Sequence, residues 1–270
     1  MTADLVPALT SGELLTIIRN AADNAPRTLQ TAIGPSGVGV PCDRRLTLEI
    51  LAATQHNTGV DKWAATVGTA VHTWLADVFT THNQQLIAAG QPPRWLLEQR
   101  VNIRTGLSGS CDLYDLQTHT VTDWKTTGAT RLRKYRAAGH PGQQYRYQAH
   151  LYGMGWANAG LPVRDVAVVF LPRSGVLRDT YYWTEPYDQT VAQAALDRMD
   201  GLLVGADIAD SLGGLDQFMR ALPRDTDMCD YCPFYTPDRG ISPADGCNGP
   251  LEDLAPGQKA APSQALTGIF

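Results

Sequence analysis

The stretch GSCDLYDLQTHTVTDWKTTG, Gly109 to Gly128, has the pattern of a β-hairpin. Apolar and polar residues alternate from Cys111 to Leu116, the polar segment Gln117 to Thr120 can form a turn, and extended character resumes from Val121 to Lys125. Alternation with a period of two is typical of strands that bury one face. The stretch therefore predicts two antiparallel strands joined by a short turn, and the rest of the fold is built around them.

Charged residues lie on this predicted hairpin, where burial without partners is costly. One suitable register places Leu116 opposite Val121. In that register Asp112 faces Lys125, and Asp123 lies on the same face, whereas a slip of one residue would separate them. Two neighbouring carboxylates repel each other unless a cation lies between them, and Mg²⁺ takes oxygen ligands. The hairpin therefore predicts a divalent-metal site beside a lysine, which suits hydrolysis of a phosphodiester.

The segments around the hairpin predict an α/β (α+β) fold with a mixed central sheet flanked by helices. Their periodicity gives the order helix, three-strand meander, helix, strand. Helices are predicted at Cys42–Thr54, Asp61–Ala89, Gly142–Asn158 and Glu185–Val204, and strands at Trp95–Arg104, Ser110–Leu116, Val121–Thr126, Val166–Leu171 and Leu177–Trp183.

The chain has 270 residues, 43% hydrophobic and 18% charged, and can bury a sizeable core. Residues 1–250 are predicted to form a single domain and residues 251–270 a flexible tail. No apolar run approaches the roughly 18 residues of a membrane span, and the first residues lack the basic start and apolar middle of a signal peptide. We therefore expect a cytoplasmic protein with no membrane partner.

The charge distribution points to a local contact with nucleic acid. A net charge of -5 argues against a protein coated in DNA. Between Asp123 and Asp165, however, there is no acidic residue and there are several basic ones. A solvated charged face is the alternative to a phosphate-binding track. The predicted DNA-binding side chains are Arg131, Arg133, Lys134, Arg136 and Arg146.

The five cysteines predict a metal centre, because an odd number in a reducing compartment does not favour disulfides. Cys229 and Cys232 form a C-x2-C pair in a loop-rich segment that also contains Cys247, whereas Cys42 lies far upstream. Four thiolates satisfy either a 4Fe–4S cluster or a structural Zn²⁺.

Taken together, these residues resemble the PD-(D/E)XK nucleases, whose core motif corresponds to Asp112 followed by Asp123-Trp124-Lys125. The closer resemblance is to the RecB-like branch, in which a helix histidine, an aspartate, a D/E-x-K tripeptide and a Q-x3-Y helix occur in this order. Here they are His72 in GTAVH, Asp112 in GSCDLYD, Asp123 and Lys125 in DWKTT, and Gln148 with Tyr152 in QAHLY. A D-x-K tripeptide alone is a weak signal, but an ordered array of five residues over about 80 positions is specific. The five are His72, Asp112, Asp123, Lys125 and Gln148.

The resemblance implies a role for each of these residues. Gln148 and Tyr152 lie four residues apart on one helical face and would position DNA or the catalytic lysine. Glu98 lies where the family often has an acidic residue, and its role is left open. The alternatives are that His72 is an ordinary core histidine and that Gln148 and Tyr152 form a half-buried helix face. Asp112, Asp123 and Lys125 would then be a structural ion-pair network. The metal ligands would be His72, Asp112, Asp123 and the carbonyl of Trp124, and the catalytic residues Asp112, Asp123, Lys125, Gln148 and Tyr152.

The cysteine spacing resembles the iron–sulfur nucleases of the AddB and CRISPR-associated Cas-four type, in which a 4Fe–4S cluster joins the two ends of the nuclease domain. By that resemblance the cluster ligands are Cys42, Cys229, Cys232 and Cys247, in a lobe formed by about residues 36–50 and 223–250, and Cys111 is an ordinary strand cysteine. The interval between Cys232 and Cys247 is wider than in those relatives, and this departure concerns the assignment of Cys247. Structural Zn²⁺ stays the alternative, because four thiolates satisfy either centre.

The resemblance implies a restriction-endonuclease-like fold and a deoxyribonuclease that depends on Mg²⁺ or Mn²⁺. RecB-like relatives are mostly exonucleases on single strands or duplex ends, so we expect a DNA exonuclease, in phage or mobile-element recombination or repair and with partner proteins from such a pathway. Two alternatives are a structure-specific endonuclease or nickase, and a non-catalytic adaptor that binds DNA ends. Strand preference and oligomeric state are not predicted.

Overall fold

A five-stranded mixed sheet forms the centre of the protein in the computed structural model, which describes residues 11–25 and 33–253. Neighbouring strands are antiparallel, except for the parallel third and fourth strands. The strands lie side by side in chain order: β1 (Trp95–Arg104), β2 (Leu107–Asp115), β3 (Thr120–Thr127), β4 (Asp165–Pro172) and β5 (Tyr181–Pro186).

Helices flank the sheet, and the predicted fold class is therefore confirmed. The longest helix in the described part of the chain has 26 residues. The helices are α1 (Ser11–Asp23), α2 (Pro35–Val38), α3 (Asp43–Ile50), α4 (Trp63–Ala88), α5 (Ala129–Ala138), α6 (Gln143–Asn158), α7 (Gln189–Ser211) and α8 (Leu215–Ala221).

The sheet is buried between helices on both faces. On one face Tyr114 of β2 packs in a core cluster with Tyr152 and Trp156 of α6. On the other face Leu113 and its neighbours on β3 and β4 pack against Leu75 of α4. Helices α5 and α6 form the crossover that parallel strands β3 and β4 require. The sandwich thus brings α4 and α6 to the hairpin from opposite sides.

The hairpin register differs by two residues from the predicted one. Tyr114 pairs with Val121, and Asp115 with Thr120. Asp115 closes the turn because its carboxylate accepts a hydrogen bond from the Gln117 amide at 2.9 Å and from the Thr118 hydroxyl at 2.7 Å. The predicted facing pair of Asp112 with Lys125 is therefore wrong. The predicted pairing of even with odd positions is correct, so the acidic side chains still share one face.

Several predicted element boundaries are corrected by local chemistry. The predicted strand from Leu177 begins as a short 3-10 turn, and β5 runs only from Tyr181 to Pro186. Helix α7 begins after Asp188, whose carboxylate accepts a hydrogen bond from the Thr190 amide as an N-cap. Helices α5 and α8 were not predicted, because α5 carries few apolar residues and α8 is only seven residues long.

The C-terminal part of the described chain is ordered further than the sequence predicts. Residues 251–253 belong to a 3-10 helix, Gly249–Asp253, in place of the predicted tail, whereas residues 254–270 lie outside the described residues. No helix among the described residues is both long and apolar enough to cross a membrane. The single domain over residues 1–250 stays a prediction.

Candidate active site at the end of the hairpin

Asp112 is held by two elements besides its own strand. One carboxylate oxygen accepts a hydrogen bond from the backbone amide of Trp124 at 2.7 Å. The other lies 3.2 Å from Nδ1 of His72, which projects from α4. Asp112 is buried, and α4, β2 and β3 together fix its position. The structure thus brings the predicted histidine and the first predicted aspartate into contact.

Asp123 is held by a different pair of partners. Its Oδ2 lies 2.6 Å from Nζ of Lys125, and its Oδ1 accepts a hydrogen bond from Nε2 of Gln148 at 2.9 Å. The Lys125 ammonium also lies 5.3 Å from the centre of the Tyr145 ring. Sequence reasoning missed Tyr145, although its position three residues before Gln148 on α6 places both on one helical face.

The electrostatics of the site disfavour two free carboxylates. Burial raises the pKa of Asp123 to about 6, and the negative charge of Asp112 adds to this shift against the opposing charge of Lys125. Burial opposes protonation of His72, but its hydrogen bond and charge interaction with Asp112 raise its pKa overall. A cation among these groups would stabilise the ionised acids. The arrangement therefore has the electrostatic character of a metal site.

Glu98 lies closer to the metal-binding groups than the sequence alone indicated. One ligand atom each from His72, Glu98 and Asp112 lies within 4.8 Å of the other two. Glu98 is exposed on β1 and has a left-handed backbone conformation, with φ of 49°. Imidazole nitrogen and carboxylate oxygen are both ligands that Mn²⁺ and Mg²⁺ sites use. The donor set is thus suited to the divalent cation implied by the sequence.

The second predicted residue of α6, Tyr152, is buried in the core beside the site. Burial raises the pKa of its phenol, and the charges of Asp123 and Asp112 act in the same direction. The buried Oε1 of Gln148 has no hydrogen-bond partner among the described residues. Gln148 therefore contacts an acid directly, whereas Tyr152 lies behind it. The Trp124 carbonyl as a ligand stays a prediction.

The predicted DNA-binding residues divide into two groups. Lys134 of α5 pairs with Asp227 at 3.1 Å, and Arg131 of the same helix contacts the sulfur of Met228. Arg136 donates to a backbone carbonyl, and Arg133 to the Thr130 hydroxyl. In contrast, Arg146 lies on α6 and pairs with Glu185 at 2.5 Å. This position is two residues from Gln148 and thus faces away from the acids.

The four cysteines predicted as cluster ligands are brought near one another by the fold. Burial raises the pKa of Cys229 to about 12, and the charges of Cys247, Cys232 and Cys42 each raise it further. Backbone amides donate to two of the sulfurs, Arg45 N to Cys42 at 3.4 Å and Gly249 N to Cys247 at 3.3 Å. The binding of a metal cluster by these four cysteines stays a prediction.

Cys111 lies apart from this set, buried in the core cluster under α6. Burial strongly raises its pKa. The predicted role of an ordinary strand cysteine agrees with this position.

Comparison with known proteins gives likeness at the level of fold. No model of a known protein family matches the chain, and no curated protein matches its sequence. The structure is similar to that of an alkaline exonuclease from Laribacter hongkongensis, with a TM-score of 0.40, 12% identity, and coverage of 70% of this chain and 92% of the exonuclease. It is also similar to a phage-related exonuclease from Haemophilus somnus 129PT, with a TM-score of 0.36, 11% identity, and coverage of 73% and 86%. Likeness of this strength carries no argument about the chemistry of the site.

Proposed function

We propose that this protein is a deoxyribonuclease that hydrolyses DNA phosphodiesters with Mg²⁺ or Mn²⁺. The observation that carries the proposal is the meeting of two pairs at one end of the hairpin: His72 with Asp112, and Lys125 with Asp123. These residues come from α4, β2 and β3, in the order of the RecB-like motif. A purely structural ion-pair network would place two buried acids together at a high cost in free energy.

Each residue has a distinct task in this chemistry. His72, Asp112 and Asp123, with the Trp124 carbonyl, would hold the cation, which when bound supplies Lewis-acid stabilisation of charge on the phosphate. Lys125 offsets the charge that develops on the phosphate oxygens. Gln148 donates to Asp123 and keeps that carboxylate oriented.

The substrate follows from the charge pattern and from the sequence resemblance. Lys134, Arg133 and Arg136 project from α5, which begins two residues after β3 ends, and are exposed. A basic helix that directly follows β3, the strand of Asp123 and Lys125, suits a DNA backbone entering the site. We propose exonuclease action on single strands or duplex ends, in phage or mobile-element recombination or repair, since RecB-like relatives mostly act in this way.

We further propose that Cys42, Cys229, Cys232 and Cys247 hold a 4Fe–4S cluster, with Zn²⁺ as the alternative. The neighbouring thiols and the amides aimed at their sulfurs support a metal centre of this kind. Such a centre would join α3, which begins directly after Cys42, to the segment after α8. A brown protein with visible charge-transfer absorbance and about four irons per chain supports the cluster. A colourless protein with stoichiometric zinc contradicts it.

The decisive assay uses linear DNA labelled at either end beside circular single-stranded DNA, with Mg²⁺, Mn²⁺ or chelator. We expect metal-dependent release of mononucleotides from linear DNA, and no cleavage of circles. Cutting of circles would indicate an endonuclease, and binding without degradation an adaptor. Asp123→Ala and Lys125→Ala should each abolish the activity, whereas Asp165→Asn, in an exposed ion pair with Arg164, should not. Undiminished activity of both site variants would refute the proposal.

A further inference from the structure

The structure gives Asp123 and Asp112 unequal freedom to bind a metal ion. Asp123 has Lys125 at one carboxylate oxygen and Gln148 at the other. Asp112 has a backbone amide at one oxygen and the imidazole of His72 at the other. A lysine competes with a cation for a carboxylate oxygen, whereas a histidine can share the same cation. Further ligands of the cation are therefore expected around Asp112.

A third donor is available at that place. His72 on α4, Glu98 on β1 and Asp112 on β2 each offer a ligand atom within 4.8 Å of the others. Three elements that are distant in sequence thus converge on one point. Asp123 does not belong to this group.

The backbone at Glu98 is consistent with a position selected for its side chain. Leu97 pairs with Leu113 and Gln99 with Cys111, so the strand pairing continues on either side. Glu98 itself has φ of 49°, a conformation that residues with a Cβ adopt at a cost in free energy. Glycine would occupy this position without that cost, yet the chain carries a glutamate.

We infer that Glu98 is a direct ligand of the catalytic cation, together with His72 and Asp112, and that this site favours Mn²⁺ over Mg²⁺. Carboxylates bind both ions, whereas an imidazole ligand favours the transition metal. This inference rests on the proposed function for the role of the cation in catalysis, but the binding site itself is assigned from the geometry.

Manganese binding to the full-length protein tests the inference directly. Titration calorimetry with MnCl₂ and with MgCl₂, and anomalous diffraction from crystals soaked in MnCl₂, would compare the wild type with Glu98→Gln. We expect an anomalous peak between Glu98, His72 and Asp112, tighter binding of Mn²⁺ than of Mg²⁺, and a roughly 10- to 100-fold loss of Mn²⁺ affinity in the variant. Gln99→Ala, a polar neighbour on the same strand whose side chain contacts the Leu97 carbonyl, should bind Mn²⁺ as the wild type does.

A second variant guards against misfolding. Glu98→Gly suits the left-handed backbone and removes the carboxylate, so it should fold and show the same loss of Mn²⁺ affinity. Wild-type affinity in both Glu98 variants would overturn the inference. A manganese peak without Glu98 among its ligands, or no manganese peak in the wild type, would also overturn it.

The two failures can be told apart. If DNA hydrolysis requires Asp123 and Lys125 but Mn²⁺ affinity does not depend on Glu98, the assignment of Glu98 as a ligand is wrong and the proposed nuclease function is retained. If hydrolysis survives the loss of Asp123 and Lys125, the proposed function fails, and the manganese peak still decides whether Glu98 is a ligand.

Discussion

At the scale of single residues, the two aspartates of the hairpin differ in the donors that hold them. Asp112 is fixed by the Trp124 amide and approached by an imidazole, whereas Asp123 lies between an ammonium and a carboxamide. The carboxamide belongs to Gln148, which leaves its own buried Oε1 without a partner among the described residues. A buried carbonyl oxygen without a partner is costly, and a bound water or a substrate hydrogen would satisfy it.

Gln148→Met tests the importance of this carboxamide. Methionine has a similar volume but cannot donate to Asp123, so the carboxylate loses a partner that orients it. A hydrogen bond to a charged group contributes about 1.5–3 kcal/mol, and we expect DNA hydrolysis to fall roughly 10- to 100-fold. Initial rates on end-labelled DNA, with Mn²⁺ held constant, would measure the effect. Gln144→Met, on the same helix and bonded to the Ser36 carbonyl, should keep its rate; an equal loss there would point to a general effect on α6.

At the scale of elements, the position of the site depends on how α6 seats against the sheet. An added Cβ at Gly155 would lie 2.7 Å from Cγ2 of Val101 on β1, and one at Gly153 would lie 2.6 Å from the Tyr187 ring. The helix therefore approaches the sheet closely where it has glycine. Gln148 and Tyr152 lie on the same helix, two turns or less from these glycines. The distance between α6 and the sheet therefore determines how closely their side chains approach the acids.

Gly155→Ala should therefore destabilise the protein, because the new methyl group overlaps Val101 in a packed core. Overpacking of this kind costs about 1–3 kcal/mol. Urea unfolding of Gly155→Ala, Val101→Ala and the double variant would measure the coupling between the two positions. We expect the double variant to be more stable than the sum of the single losses predicts. Strict additivity would contradict close packing of α6 on β1.

The carboxylate of Asp115 stabilises the turn of the hairpin. Burial opposes its ionisation, but hydrogen bonds from Arg94, from the Thr118 hydroxyl and from the Gln117 amide lower the pKa of Asp115 to about 2. Because the folded pKa lies below the unfolded value near 3.8, the stabilisation is present above about pH 4 and is lost as the pH falls toward 2.

Asp115→Asn should reduce the free energy of unfolding by about 1 kcal/mol near pH 7, after allowance for solvent screening of the Arg94 pair. The difference from wild type should shrink as the pH falls below 4. Urea unfolding at several pH values would show it. Asp165→Asn, which breaks an exposed pair with Arg164, should change stability little at any of them. A deficit of Asp115→Asn that stays constant down to pH 2.5 would contradict the assignment.

At the scale of the whole molecule, a buried arginine ties α3 to the C-terminal lobe, by which we mean the chain from α8 to Asp253. Arg44 is fully buried; its Nε donates to the Met219 carbonyl at 2.8 Å, and its Nη1 pairs with Glu252. Arg224 contacts the same carboxylate at 3.4 Å. Cys42 lies just before this helix, and the other three clustered cysteines belong to the lobe. The ion pair and the proposed metal centre thus close the same long loop of chain.

Arg44→Met should lower the free energy of unfolding by roughly 3 kcal/mol, because it removes a buried charge and leaves the Glu252 carboxylate with fewer partners. Arg45→Met on the same helix breaks a partly exposed pair with Glu49 and should cost about 1 kcal/mol or less. Thermal unfolding with and without a metal chelator would measure both. Equal losses in the two variants would show that the buried pair does not stabilise the closure of the lobe.

The sequence by itself determined the element order, the face that the acids share and the candidate residues. Period-two alternation fixes which side chains share a face, so the parity of Asp112 and Asp123 followed from the hairpin pattern even though its register was two residues off. Helical periodicity located α4 and α6, although Leu75 is the one buried residue of α4, whereas α6 is buried on all sides from Gln148 to Trp156. Local capping set the turn at Asp115, a signal that alternation does not contain.

Tertiary structure alone decided which of these residues meet. The contact of His72 with Asp112, the hydrogen bond from Gln148 to Asp123 and the approach of Glu98 to both His72 and Asp112 join residues far apart in the chain. Their distances depend on how α4 and α6 pack on the two faces of the sheet. Sequence periodicity states which face a residue occupies, but it carries no information on the depth or angle at which two elements pack. For that reason the candidate ligands were predictable as a set, whereas the different partners of the two aspartates were not.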